Sequence, residues 1–167
     1  MGGSFAGSSR GNSLPRRHGI RTFTTDRQQE VAKTLLAQSR NTNKAQTTIV
    51  AMNDGLAPYD YPATVGFTVN DQNLGDYARA ANFLNTNGFE LACLQHEFGI
   101  FGGDAGEHIS TMLARLNMPL VTTLHTVLAE PNAAQRRVMM QLVERSARLV
   151  VMAQKGRELL RQIYRVA

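Results

Sequence analysis

The sequence has one cysteine, Cys93, and no tryptophan in 167 residues. A single cysteine cannot form a disulfide within the chain, and a zinc site built from several thiolates is excluded for the same reason. No apolar run is long enough to cross a membrane. The Gly- and Ser-rich start, residues 1–15, lacks the apolar core of a signal peptide. These absences fit a reducing, cytoplasmic location, which we expect for this chain.

Hydrophobic residues make up 43% of the chain and charged residues 19%. This balance excludes a disordered polar protein, and the length suits one domain that folds without a disulfide or metal. We predict a flexible segment over residues 1–17, followed by one domain over residues 18–167.

Continuous apolar runs alternate with helical patterns along this domain. The runs at 47–52, 91–94, 119–124 and 148–152 predict strands, and apolar residues at helical spacing predict helices between them, including one that begins at Thr25. Unbroken apolar strands indicate burial on both faces, which is typical of a parallel sheet covered by helices. We therefore predict an α/β, Rossmann-like fold with three α/β/α layers. Its first strand, over residues 4–8, is weak or missing.

In open parallel sheets, ligands bind beyond the carboxyl ends of the strands. Three loops should therefore meet at one crevice: residues 95–106, His125-Thr126, and residues 15–22. We expect Gln95 and His125 to lie at the same edge of the sheet, because right-handed crossovers align the ends of parallel strands.

Gly102-Gly103 in the first of these loops has two interpretations. Backbone N–H groups before a helix can bind an anion or a sugar hydroxyl, or the glycines can serve only a tight turn. The spacing is neither G-x-G-x-x-G nor a Walker A loop. A dinucleotide oxidoreductase and a P-loop NTPase are therefore both disfavoured.

The histidines of these loops are candidate metal ligands and candidate catalysts. His96-Glu97 begins like a zinc metalloprotease motif, but Ile100 stands where the second histidine is required. We therefore expect no metal. His125 follows a buried strand, where it can hydrogen-bond a substrate hydroxyl or transfer a proton near neutral pH, or be a core histidine bonded to a backbone carbonyl.

The net charge is +5, and basic side chains crowd the last third of the chain. A solvated helix face is the first interpretation, and contact with anionic lipid is the second. Binding of single-stranded nucleic acid is disfavoured because few aromatic residues are interleaved with the basic ones.

Several stretches resemble a known family. They are LQHEFGIFGG at 94–103, VTTLHTV at 121–127, QRR at 135–137, VVM at 150–152 and GRELL at 156–160. In this order they resemble the N-terminal domain of retaining family 4 glycosyltransferases of the GT-B type. PRRHGIRTFT at 15–24 resembles the first glycine loop of the same family. The resemblance covers residues 15–166.

The resemblance implies the N-terminal, acceptor-side half of a GT-B fold. Such enzymes transfer a sugar from a nucleotide-diphosphate sugar to a sugar or lipid-linked acceptor, without metal or other cofactor and with retention of anomeric configuration. By this resemblance His125 would sit beside the transferred sugar as the catalytic residue. Gly19 would contact the donor phosphate or the acceptor, with Arg21 near it. The acceptor side of the cleft would be lined by Gln95, His96, Glu97, Gly102 and Gly103.

The chain also departs from the family. His18 stands where a cysteine is expected, and Ala153 where a serine is usual. The C-terminal, donor-binding domain is absent from the 167 residues, so we expect the chain alone to be inactive. The alternative is a non-catalytic Rossmann-like module that binds a ligand or partner.

Overall fold

A computed structural model describes residues 21–24, 47–54 and 59–166. The flexible segment predicted over 1–17, the strand predicted over 4–8 and the helix predicted from Thr25 fall largely or wholly outside these residues. Gly19 also lies outside them.

The described elements alternate between strands and helices. In chain order they are β1 (Arg21–Thr24), β2 (Thr48–Asn53), β3 (Val65–Asn70), α1 (Leu74–Thr86), β4 (Ala92–His96), a 3₁₀ turn (Asp104–Gly106), α2 (Ile109–Leu113), β5 (Leu120–Leu124), α3 (Ala133–Arg145), β6 (Arg148–Val151) and α4 (Gln154–Tyr164).

The strands form two three-stranded parallel sheets, in which β2 lies between β1 and β3 and β5 lies between β4 and β6. The two sheets meet where β1 lies beside β4. The resulting order, 3-2-1-4-5-6, is that of doubly wound nucleotide-binding folds. The predicted Rossmann-like α/β fold with a parallel sheet is confirmed.

The prediction of a loop over residues 15–22 is wrong at its end. Arg21–Thr24 forms β1, which pairs with β2 over its whole length. The segment reads RTFT, and threonine and phenylalanine favour strands. Arg21 therefore lies in the sheet.

One face of β4 and β5 supports the core. Ala92 and Leu94 on β4 and Leu120 and Leu124 on β5 are fully or almost fully buried, and helices α1 to α4 all contribute side chains to the same cluster. Alternate residues, including Gln95 and Thr123, point to the other face of the sheet. This alternation decides which polar side chains can reach a ligand.

The turn between β4 and α2 is long, and α2 begins only at Ile109. Gly103, Ala105 and Gly106 have positive φ, which a helix does not accept. α3 begins with a capping box: the Asn132 side chain accepts from the Gln135 backbone N–H, and the Gln135 side chain accepts in return from the Asn132 N–H.

Two arginines of the basic C-terminal third hold helices together. The guanidinium of Arg145 donates to the carbonyls of Leu113, Leu116 and Met118 at 2.6–3.1 Å. These carbonyls lie at the C-terminus of α2 and in the segment after it, where the helix supplies no N–H partner. Arg136 donates to the Ile163 carbonyl and lies over the Tyr164 ring. No helix in the described part of the chain combines the length and apolar character that a membrane span requires.

Candidate functional site

The candidate site lies where β4 and β5 end side by side. Gln95 pairs in register with Thr123, and His125 is the first residue beyond β5. The Nε2 atom of His125 is 2.9 Å from Oε1 of Gln95. The expectation that these two residues share one edge of the sheet is confirmed.

Gln95 is held from both sides although it is almost fully buried, at 3% exposure. Its Nε2 donates to the Thr123 hydroxyl at 3.3 Å while its Oε1 faces His125. The backbone N–H of His125 donates to the His96 carbonyl at 3.1 Å, which fixes the base of the imidazole. His125 is half-buried, so the histidine has both a fixed position and a face open to solvent.

Glu97 lies at the same edge. One carboxylate oxygen accepts from the Thr126 hydroxyl at 2.7 Å, and the other accepts from the Phe98 N–H at 3.0 Å. Each oxygen keeps a further lone pair, since a carboxylate has about four acceptor positions. Glu97 is half-buried and can accept a hydrogen bond from a ligand hydroxyl.

His96 does not line the cleft as expected. Its side chain is fully buried, stacked on Phe101 and in edge contact with Phe98, and neither ring nitrogen has a hydrogen-bond partner among the described residues. Burial lowers the pKa of His96 to about 4, a shift that the His125 charge adds to and the Glu97 charge opposes. The reason is strand alternation: His96 and Gln95 are consecutive, so His96 points to the core face and Gln95 to the face of the sheet that carries His125.

Gly102 belongs to a packed turn. Its N–H donates to the Tyr77 hydroxyl at 3.1 Å, so it is not available to an anion. A Cβ at this position would lie 1.9 Å from the Asp71 carbonyl oxygen. Of the two interpretations of the glycine pair, the structure supports the tight turn for Gly102. Gly103 is exposed and has a φ of 79°, which glycine adopts without strain.

The network around Gly102 was not anticipated from the sequence. The Asp71 carbonyl accepts from the Tyr77 hydroxyl at 3.0 Å and lies 3.0 Å from Nδ1 of His108. Burial raises the pKa of Tyr77 to about 12. No spacing in the sequence marks the Tyr77 hydroxyl as a partner for a loop 25 residues away.

The remaining predicted site residues are less informative. Arg21 lies in β1, and Gly19 is outside the described residues. Across residues 47–54 and 59–166, no group of three histidine, cysteine, aspartate or glutamate side chains is placed to hold a metal ion.

No family model matches the chain, and no curated protein matches it significantly.

Proposed function

We propose that this chain is the acceptor-side domain of a retaining GT-B glycosyltransferase. It would work with a nucleotide-diphosphate sugar as donor and a sugar or lipid-linked molecule as acceptor. The observation that supports this proposal most is the hydrogen bond between His125 and Gln95. It joins the two strongest motifs, LQHEFGIFGG and VTTLHTV, at the sheet edge where ligands of this fold class bind.

The chemistry of the cluster suits a sugar. Gln95, Glu97, Thr126 and His125 present neutral or acceptor groups, and no described arginine or lysine hydrogen-bonds to Gln95, Glu97 or His125. A cluster of acceptors favours hydroxyl groups over the oxygens of a diphosphate. In this proposal His125 contacts the transferred sugar while its anomeric carbon gains positive charge. The groups that stabilise the leaving diphosphate belong to another domain.

The alternative proposal is a non-catalytic module that binds a ligand at the same edge. The test is sugar transfer by the product of the longest coding sequence that contains this chain, with UDP- and GDP-linked hexoses as donors. We expect transfer with retained anomeric configuration from that product, and none from the 167-residue chain. Saccharide binding without transfer in the longer product would support the module instead, and useful turnover by the 167 residues alone would contradict the assigned division of roles.

A lipid-linked acceptor would bring the protein to the cytoplasmic face of a membrane, and α4 offers a surface for it. Arg157, Arg161 and Arg165 recur every four residues on its exposed side, and Met152, just before the helix, is 70% exposed. We propose that this side rests on anionic lipid.

The membrane proposal is tested by sedimentation with vesicles rich in phosphatidylserine and with neutral vesicles. Each of Arg157→Gln and Arg161→Gln should weaken binding to the anionic vesicles roughly fivefold, since a basic residue near such a surface contributes about 1 kcal/mol. Arg79→Gln, which changes an exposed arginine paired with Asp76 on α1, is the matched control. Equal effects of all three variants would contradict a specific surface.

A further inference from the structure

We infer that Gln95 is a positioning residue that holds the His125 proton on Nε2, so that Nδ1 is the acceptor for a neutral ligand's hydroxyl group. The juxtaposition behind this inference is the row Thr123 hydroxyl, Gln95 amide, His125 imidazole. For the identity of the ligand as a sugar, the inference rests on the proposed function. The proton position does not depend on it.

The structure places the Gln95 amide with its nitrogen 3.3 Å from the Thr123 hydroxyl and its oxygen 2.9 Å from Nε2 of His125. An amide oxygen only accepts, so the neutral imidazole must carry its proton on Nε2. The second nitrogen, Nδ1, then has a lone pair, and it makes no hydrogen bond to any residue of the described part of the chain.

The burial of Gln95 makes it suitable for this role. At 3% exposure its amide has little access to water, so losing either partner would leave a buried polar group unsatisfied. The backbone bond to the His96 carbonyl holds the main chain of His125 beside Gln95, and turning the imidazole away would leave the Gln95 amide oxygen without this partner.

The lone pair on Nδ1 determines which kind of ligand can bind beside His125. A lone pair at Nδ1 accepts from a hydroxyl group and repels the oxygens of a phosphate. The neighbouring Glu97 carboxylate strengthens the same preference, because it too accepts and carries negative charge. This corner of the site thus selects a neutral polyol such as a sugar, and a diphosphate has to bind elsewhere.

The proton position can be measured on the free 167-residue chain. Long-range ¹H–¹⁵N correlation spectra distinguish a protonated ring nitrogen from one with a lone pair, and we expect the proton on Nε2 of His125. Gln95→Glu keeps an oxygen opposite Nε2 and should preserve this tautomer. Gln95→Leu removes the acceptor and Thr123→Val removes the group that orients the amide, so both should yield a mixture. Thr122→Val, on the same strand but bonded to Ser146 on the other face, is the matched control and should leave the tautomer unchanged.

The ligand preference is measured in the same spectra with two probes, free hexoses and inorganic pyrophosphate. We expect a hexose to shift the His125 ring signals, with roughly tenfold weaker binding in Gln95→Leu and recovery in Gln95→Glu, because one hydrogen bond is lost and restored. A folded wild-type chain with the proton on Nδ1 would overturn the inference, and so would pyrophosphate binding at His125 in preference to hexoses. An Nε2–H tautomer with neither probe bound would count against a sugar site while leaving the positioning role of Gln95 established.

Discussion

Two polar clusters lie at neighbouring turns of this molecule, and the sequence suggested that both line a ligand site. Around Gly102 the Tyr77 hydroxyl, the Asp71 carbonyl and the His108 ring bond to one another, and a Cβ does not fit. Around His125 the hydrogen bonds run from the imidazole through the Gln95 amide to the Thr123 hydroxyl. The other ring nitrogen of His125, Nδ1, has no protein partner among the described residues. A closed polar cluster holds a turn together, whereas an open one can bind a ligand.

The largest effect that separates the two clusters is expected from Gly102→Ala. The new Cβ would lie 1.9 Å from the Asp71 carbonyl oxygen and 2.7 Å from Nδ1 of His108, so the backbone of one loop must move. We expect a loss of about 3 kcal/mol or more in the free energy of unfolding, measured by urea denaturation. The control is Gly99→Ala in the same turn, where nothing lies within 4 Å of the added methyl group. Equal stability of the two variants would show that the turn around Gly102 is not closed.

The complementary variant is His125→Ala, which should affect chemistry far more than folding. If this chain is the acceptor-side domain of a glycosyltransferase, as proposed, we expect the turnover of that enzyme to fall roughly 30- to 1000-fold, because a hydrogen bond made mainly in the transition state contributes on the order of 2–4 kcal/mol. The melting temperature should change little, since His125 is only half-buried. A large loss of stability with normal turnover would show that His125, like the cluster around Gly102, holds the fold together and does not act on a ligand.

His96 connects the two clusters, since it follows Gln95 and packs on Phe101, the residue before Gly102. Its pKa is about 4 in the folded chain and near 6.5 when exposed, because burial disfavours the charged ring. Below pH 6.5 the unfolded state therefore binds a proton that the folded state does not. Stability should be full above pH 6.5 and fall by roughly 3 kcal/mol as the pH drops to 4.

The measurement is urea denaturation between pH 4 and 7 for wild type, His96→Leu and His108→Gln. His96→Leu should flatten the pH dependence, and His108→Gln should keep it. A wild-type slope that survives in His96→Leu would assign the acid sensitivity to another group.

The parts of this molecule that the sequence predicted follow from periodicity. The buried runs gave the parallel sheet, and the sheet placed Gln95 beside His125, because strand ends in such folds meet at one edge. The features that the sequence did not predict depend on a few residues or on single hydrogen bonds. The short strand β1 has too few residues for a pattern, and neither the burial of His96 nor the bond from Gly102 to Tyr77 could be anticipated before strand alternation and the approach of α1 were known.

Tyr77 provides the smallest but most direct test of what a closed cluster contributes. Its hydroxyl accepts from Gly102 and donates to the Asp71 carbonyl, so Tyr77→Phe leaves a buried N–H without a partner. We expect a cost of about 1–3 kcal/mol in the free energy of unfolding.

Tyr164 is the matched control for this variant, because it is also buried but its hydroxyl makes no hydrogen bond to any residue that the structure describes. Tyr164→Phe removes only an unsatisfied group and should be neutral or stabilising. Alkaline pH supplies a second readout. Burial raises the pKa of Tyr77 to about 12 from an ordinary value of 10, so its contribution to stability is complete below pH 10 and is lost as the pH rises through 12. Tyr77→Phe should remove that part of the alkaline loss. If both tyrosine variants lost the same stability, the hydrogen bonds of the Tyr77 hydroxyl would contribute nothing beyond the packing of its oxygen atom. The contrast between a closed and an open cluster would then no longer hold.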